Sequence, residues 1–207
     1  MHANAERPAA AGPAPSSRTA AGAASEDTRG RLIAAARRII CDVGFKRARM
    51  EDIAAMAGVS RAAVYYHFNT KVELATAIAD DVFQRLTATV SAALADGPID
   101  GVIAATVRFF ADQVAVARLL VNELSPNDPA QLFARHREAL LSLLRRRIAA
   151  DLAAGRVRPM DADVAAHAVL GLMRVAPVEM ICNESADLDH LSTELADFLR
   201  RALAPSP

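Results

Sequence analysis

Between Ser60 and Lys71 the chain reads SRAAVYYHFNTK, a set of side chains suited to the edges and backbone of a nucleic-acid duplex. Arg61 carries a planar fork that can pair with a guanine edge, and Ala62, Ala63, Tyr65 and Tyr66 offer small and aromatic surfaces that fit against a thymine methyl. Val64 and Phe68 lie four residues apart and claim one side of a helix, which turns those residues outward and leaves His67 near the seam. Ser60 is a good N-cap, its hydroxyl able to accept a free backbone N–H of the next turn. Lys71 falls in the first turn of the following helix, where a cation opposes the helix dipole; a nearby phosphate would offset that cost.

Such a helix reads a groove only if others hold it. The preceding residues, MEDIAAMAGV, predict a short helix and a tight turn. Ile53, Ala54 and Ala57 give it a small apolar face, and a bulky side chain at 54 would push the second helix away. Gly58 stands where the chain must turn with a positive φ. Together the two helices form a helix-turn-helix over Met50–Lys71. Two short helices cannot close a core alone. A third is predicted from about Thr28, where Leu32, Ala35, Ala36, Ile39, Ile40 and Val43 recur at three- and four-residue steps and Gly44 ends the run. The expected head spans residues 26–70.

The run GVSRAAVYYHFNTKVEL, with RLIAAARRIICDVGF upstream, resembles the hallmark of the tetracycline-repressor (TetR) family of bacterial regulators over about fifty residues. The family usually caps the first helix of the motif with Thr, where this chain has Arg49, a residue able to reach a phosphate. The resemblance implies an all-α fold, with an N-terminal DNA-binding head and a C-terminal helical body for ligand binding and dimerisation. It implies DNA contacts from Arg49, Ser60, Arg61, Ala62, Ala63, Tyr65, Tyr66, His67 and Lys71, the last to the backbone. The partners so implied are a palindromic double-stranded operator, a second copy of the chain and a small hydrophobic effector.

Composition agrees with helices. Hydrophobic residues make up 53% of the 207, inflated by alanine, and aromatics only 4%. The formal net charge is zero but unevenly divided, since residues 28–71 carry nine basic against three acidic side chains. A basic head on an acidic body suits phosphate binding at one end. Residues 1–25, rich in Ala, Pro, Gly and Ser, are expected to be a disordered tail. Cys41 and Cys182 sit among apolar residues and are expected as buried free thiols in a reducing cytosol. No secretory signal or membrane-length apolar run is evident, so the chain is expected in the cytoplasm.

The body, residues 71–207, is predicted to hold a long helix from Lys71 to about Ala95 that links head to body. Four further segments follow, near 99–124, 129–154, 162–182 and 187–203, with Asp128 and Asp161 as caps and Pro177 kinking the third. No phosphate loop, Cys-x-x-Cys pair or metal-binding His pair is present, so neither an enzyme, a cofactor nor a metal is expected. Arg145, Arg146 and Arg147 are expected on a solvated or carboxylate-paired face. The stretch HAVLGLMRVAPVEMI is apolar almost all round and so expected to be buried, its Arg174 needing a carboxylate from Glu179, Asp163, Glu123, a second subunit or an acidic ligand.

The family resemblance implies an effector cavity, lined by Phe109, Phe110, Leu120, Phe133, His136, Met173 and Arg174, although a plain core needs the same apolar residues. Ala166, Gly171, Leu191, Leu195, Phe198 and Ala202 are expected at a dimer interface. Two other functions stay open at this point. One is a DNA-binding regulator without a ligand. The other is a helical enzyme or partner-binding protein with an incidental helix-turn-helix.

Overall fold

The structure, a computed structural model, describes residues 17–111, 113, 129–183 and 185–205; the side chains of 17–23, 96, 129–135 and 181 lie outside that description. The described residues are helical, with no strand among them. The helices are α1 (Ser17–Val43), α2 (Met50–Ala57), α3 (Arg61–His67), α4 (Lys71–Asp96), α5 (Gly101–Ala111), α6 (Pro129–Ala153), α7 (Ala162–Met173), α8 (Val175–Cys182) and α9 (Leu188–Leu203).

Helix α1 begins at Ser17, well before the expected start near Thr28 and inside the stretch expected to be disordered. Five of the six residues predicted for its inner face, Leu32, Ala35, Ala36, Ile39 and Ile40, are buried, while Val43, in the last turn before Gly44, is 38% exposed. It ends at Gly44, whose φ is 83°. The N-terminal half of α4 completes the head. Leu74, Ala75 and Ile78 are fully buried in the same apolar cluster as Leu32, Ile53, Val64 and Phe68. The cluster continues without a break into the body through Val82, Leu86 and Val90. Helix α4 therefore contributes to the packing of head and body alike.

In the body, α5 packs against α4, α7, α8 and α9, and α6 lies between α4 and α7. Asp161 caps α7 by accepting from the backbone N–H of Asp163 and Val164, and Asp187 caps α9. The expected Asp128 cap, Leu120, Glu123 and the tail residues 1–16 lie outside the described residues, as does the side chain of Phe133.

The segment expected as one kinked helix over 162–182 is two helices broken at Arg174, three residues before Pro177. The break follows from the ring. Proline has no N–H for the carbonyl of Met173 and clashes with it, so the ladder stops there. A new helix restarts with Pro177 in its first turn, where backbone N–H groups have no intrahelical partner anyway.

Ion pairs tie the elements together. Asp151, which is buried, accepts from Arg147 Nε at 3.0 Å and from Arg156 Nε at 2.8 Å, and Arg147 also donates to the Leu94 carbonyl near the end of α4. Asp100 accepts from Arg200 at 2.9 Å, joining the start of α5 to α9. Arg145 donates to Glu138 and to Asp163 of α7. Arg145 and Arg147 are thus carboxylate-paired, while Arg146 is exposed. The expectation of buried thiols fails: Cys41 and Cys182 are both exposed.

Candidate nucleic-acid interface

Helix α2 is eight residues long, and Met50, Ile53, Ala54 and Ala57 are its buried face. At its end Gly58 adopts φ 65°. The Gly58 N–H donates to Ala55 and the Val59 N–H to Ala54 at 3.0 Å, the paired bonds of a Schellman turn. Ser60 then caps α3, its Oγ accepting from the Ala63 N–H at 3.1 Å. Val64 and Phe68 are buried to 0% and 1% exposure, which fixes the roll of α3 about its axis. With that roll fixed, Arg61, Ala62, Tyr65 and Tyr66 are exposed, Tyr66 to 82%; Ala63 and His67 are half-buried.

Several of the candidate residues are pre-positioned by neighbours. Arg61 pairs with Glu51 of α2 at 2.9 Å, and its guanidinium lies 5.7 Å from the Tyr65 ring. The His67 ring meets Tyr66 edge-on at 5.1 Å. Arg49 occupies the N-cap position of α2, makes no side-chain cap hydrogen bond and is exposed. Arg29 of α1 stacks over Phe68 at 5.3 Å. The surface thus presents a forked cation, two tyrosines and a free arginine at the entry to α2, with small residues between them.

Lys71 takes a different place from the expected phosphate contact. Its Nζ donates to the carbonyls of Phe45 at 2.7 Å, Lys46 at 3.2 Å and Ala48 at 3.2 Å, and lies 4.5 Å from the Phe45 ring. An ammonium has three donors, and all three are used. The dipole problem at the start of α4 is solved locally by the loop after α1, whose carbonyls face the cation. The same helix start holds a feature missed from sequence. Thr70 Oγ1 accepts from the Glu73 N–H, and Glu73 Oε2 accepts from the Asn69 N–H at 2.9 Å. The spacing of Thr70 and Glu73 was the available signal.

The remaining expected site residues divide. Phe109 and Phe110 meet edge-on at 5.2 Å on α5. His136 on α6 stacks on Phe83 of α4 at 4.9 Å, and its Nε2 lies 2.9 Å from Asp80 Oδ1. Met173 is core, but Arg174 beside it is exposed on the outside of the α7–α8 junction. The expected buried and paired guanidinium is therefore corrected, because the helix break that Pro177 imposes turns Arg174 to solvent. Of the proposed carboxylate partners, Asp163 is taken by Arg145. Leu120 and the Phe133 side chain lie outside the described residues.

Ala166 is also corrected as an interface residue: it is fully buried within the protomer, so no second chain can reach it. Gly171 and Phe198 are exposed, and Leu191, Leu195 and Ala202 are half-buried.

A head of three helices presenting a capped, solvent-facing second helix of a helix-turn-helix, continued by a helical body, defines a helix-turn-helix regulator fold. The family model described as bacterial regulatory proteins, tetR family, matches residues 32–78, which cover most of α1 through the first turns of α4. The similarity to that family is carried by the head of the chain. It is similar to the HTH-type transcriptional regulator TtgR of Pseudomonas putida, with 42% identity over 60 residues. That match spans 29% of this chain and 29% of the relative. The fold is similar over a much longer stretch to a tetR-family regulatory protein from Rhodococcus, at a TM-score of 0.65 and 25% identity, covering 87% of this chain and 98% of that one. It is also similar to FadR from Bacillus subtilis, solved in complex with stearoyl-CoA, at a TM-score of 0.67 and 16% identity, covering 84% of this chain and 98% of that one.

Proposed function

We propose that the protein is a DNA-binding transcription regulator that acts as a homodimer on a palindromic operator, with α3 as the recognition helix. The observation that carries this reading is the fixed roll of α3, which buries Val64 and Phe68 and turns Arg61, Tyr65 and Tyr66 outward from a basic head. Arg49 and Arg61 supply the phosphate and base contacts. Lys71 supports the head from within.

The dimer reading rests on spacing and exposure. Val164, Ala168, Gly171 and Val178 are exposed and follow one face through the α7–α8 break, with Val175 half-buried between them. On α9 Leu191, Leu195, Phe198 and Ala202 follow the same four-three-four step, and Phe198 is 61% exposed. Apolar stripes at that spacing bury one another when two copies meet. Release of the operator is assigned to a small hydrophobic effector in the body, among the aromatic residues Phe83, Phe109 and Phe110. FadR, a fold neighbour, was solved with stearoyl-CoA. An effector that shifts α4 moves the head, since α4 belongs to both cores.

Selection of bound sequences from random DNA, followed by a salt titration on the selected site, tests the reading. The expected product is a two-fold symmetric sequence whose binding weakens steeply with salt. Absence of binding to any duplex at low salt would overturn it.

A further inference from the structure

A groove of about 800 Å³ runs between α1, the C-terminal end of α2 and the body. Four arginines line it, Arg31, Arg37, Arg38 and Arg85, and among the described residues no carboxylate does. The carboxylates nearby are outnumbered. Asp81 serves both Arg85, at 2.6 Å, and Arg37, at 3.9 Å. Arg31 is 3.5 Å from Asp27, an exposed pair. Arg38 has no hydrogen-bond or ion-pair partner among the described residues. The floor between these cations is apolar, built from Ala34, Ala35 and Met56, with the exposed Cys41 at its edge.

The groove does not face the duplex-reading surface. Helical periodicity puts Arg29 on the opposite side of α1, and Arg29 is the residue stacked on Phe68 at the end of α3. The other wall is Arg85 of α4 and Gln113, which belong to the body; Arg85 also donates to Gln113 Oε1 at 3.4 Å.

We propose that this groove is a binding site for a small anionic amphiphile, one with a carboxylate-type headgroup and a short apolar body. The headgroup meets Arg31 and Arg38, whose charges are unspent or weakly spent, and the apolar part lies on Ala34 and Met56. Charge-assisted bonds to a guanidinium fork fix the head, and burial of the tail supplies the rest. An occupant would touch the head through α1 and α2 and the body through α4, so it would tie the two together. The site is separate from the surface assigned to DNA and does not rest on that assignment.

Cys41 gives a direct test on the full-length chain. Alkylation by N-ethylmaleimide is followed at Cys41 and Cys182 separately by peptide mass spectrometry. Although Cys41 is exposed, partial desolvation pushes its thiol up from the ordinary value, so the reaction is run near pH 8.5, about the pKa of an ordinary thiol. The probes are decanoate and, as the uncharged counterpart, decanol. Decanoate at several times its Kd is expected to slow Cys41 about five-fold by occupancy. Cys182 is expected to be unaffected, and decanol to protect neither. Arg31→Gln with Arg38→Gln should abolish the protection while leaving the thermal melt unchanged; if that double variant melts lower, Arg38→Gln alone takes its place. Equal protection by decanol, full protection in the variants, or no protection by decanoate below its micelle concentration would each overturn the proposal.

Discussion

Lys71 Nζ sits 2.7 Å from the carbonyl oxygen of Phe45, twenty-six residues earlier in the chain, and 4.5 Å from that residue's ring. With the Lys46 and Ala48 carbonyls it completes a cage around the ammonium. The contact fastens the first turn of α4 to the loop that joins α1 to α2. Lys71→Met is therefore expected to destabilise the head by about 1–3 kcal/mol, the range for charge-assisted bonds in a part-buried setting. Operator and random DNA should weaken alike, with the slope of log affinity against log salt unchanged. A slope lowered by about one unit would instead mean that the ammonium had been neutralising a phosphate.

Tyr66 is 82% exposed on α3, and its ring meets His67 edge-on. Tyr66→Ala should leave the melting temperature within a degree or two, about the size expected of a surface change. It should cut the preference for operator over random duplex by about 1–3 kcal/mol if a base contact is lost. Arg61→Ala should do the same and also free Glu51. Competition binding with operator and scrambled duplexes measures both.

Phe198 is the largest exposed apolar side chain on α9. Because it contributes little to the protomer's own core, Phe198→Glu should preserve the fold yet bury a charge in the proposed interface. Sedimentation is expected to show monomers, with operator affinity falling while each head stays folded. A dimer that survives the substitution places the interface elsewhere. Ala166→Leu is the contrasting control: at a fully buried site it overpacks the protomer and should cost about 1–3 kcal/mol of stability.

Asp151 is buried between two arginines, and one of them, Arg147, also holds the Leu94 carbonyl. Asp151→Ala removes the acceptor and strands Arg147 in a half-buried position. The expected loss is about 3 kcal/mol, read as a lower urea midpoint at an unchanged slope. The DNA contacts proposed for α3 are untouched, so binding per folded molecule should be normal.

The hydrogen bond from Arg145 holds the Asp163 carboxyl below its ordinary range. A carboxyl with a depressed folded-state pKa adds stability above its unfolded value, about 3.9. That contribution disappears as pH falls through the lower folded value. Melting temperatures of the native chain and of Asp163→Asn should thus differ at neutral pH and converge in acid. Both groups are exposed, so the gap should be small. A gap that stays constant down to pH 3, roughly the lower edge of the carboxylate range, would assign the effect to packing.

The head was largely legible in the sequence because its determinants are local. Gly58 needs its left-handed turn whatever surrounds it, Ser60 caps from three residues away, and Val64 with Phe68 sets the roll of α3 by periodicity alone. The order of body helices could likewise be read from apolar spacing and from Asp161. Tertiary structure decided what depends on partners distant in sequence. Lys71 looks like a solvent-facing cation until Phe45 is brought beneath it. Arg174 looks buried in an apolar run until the break at Pro177 turns it out, and Ala166 looks like an interface residue until packing within the protomer buries it. Apolar periodicity shows that a face is covered but not by which chain, and a charge count shows a cation but not its carbonyls. Those choices are made by long-range packing, which brings together groups that the sequence keeps apart.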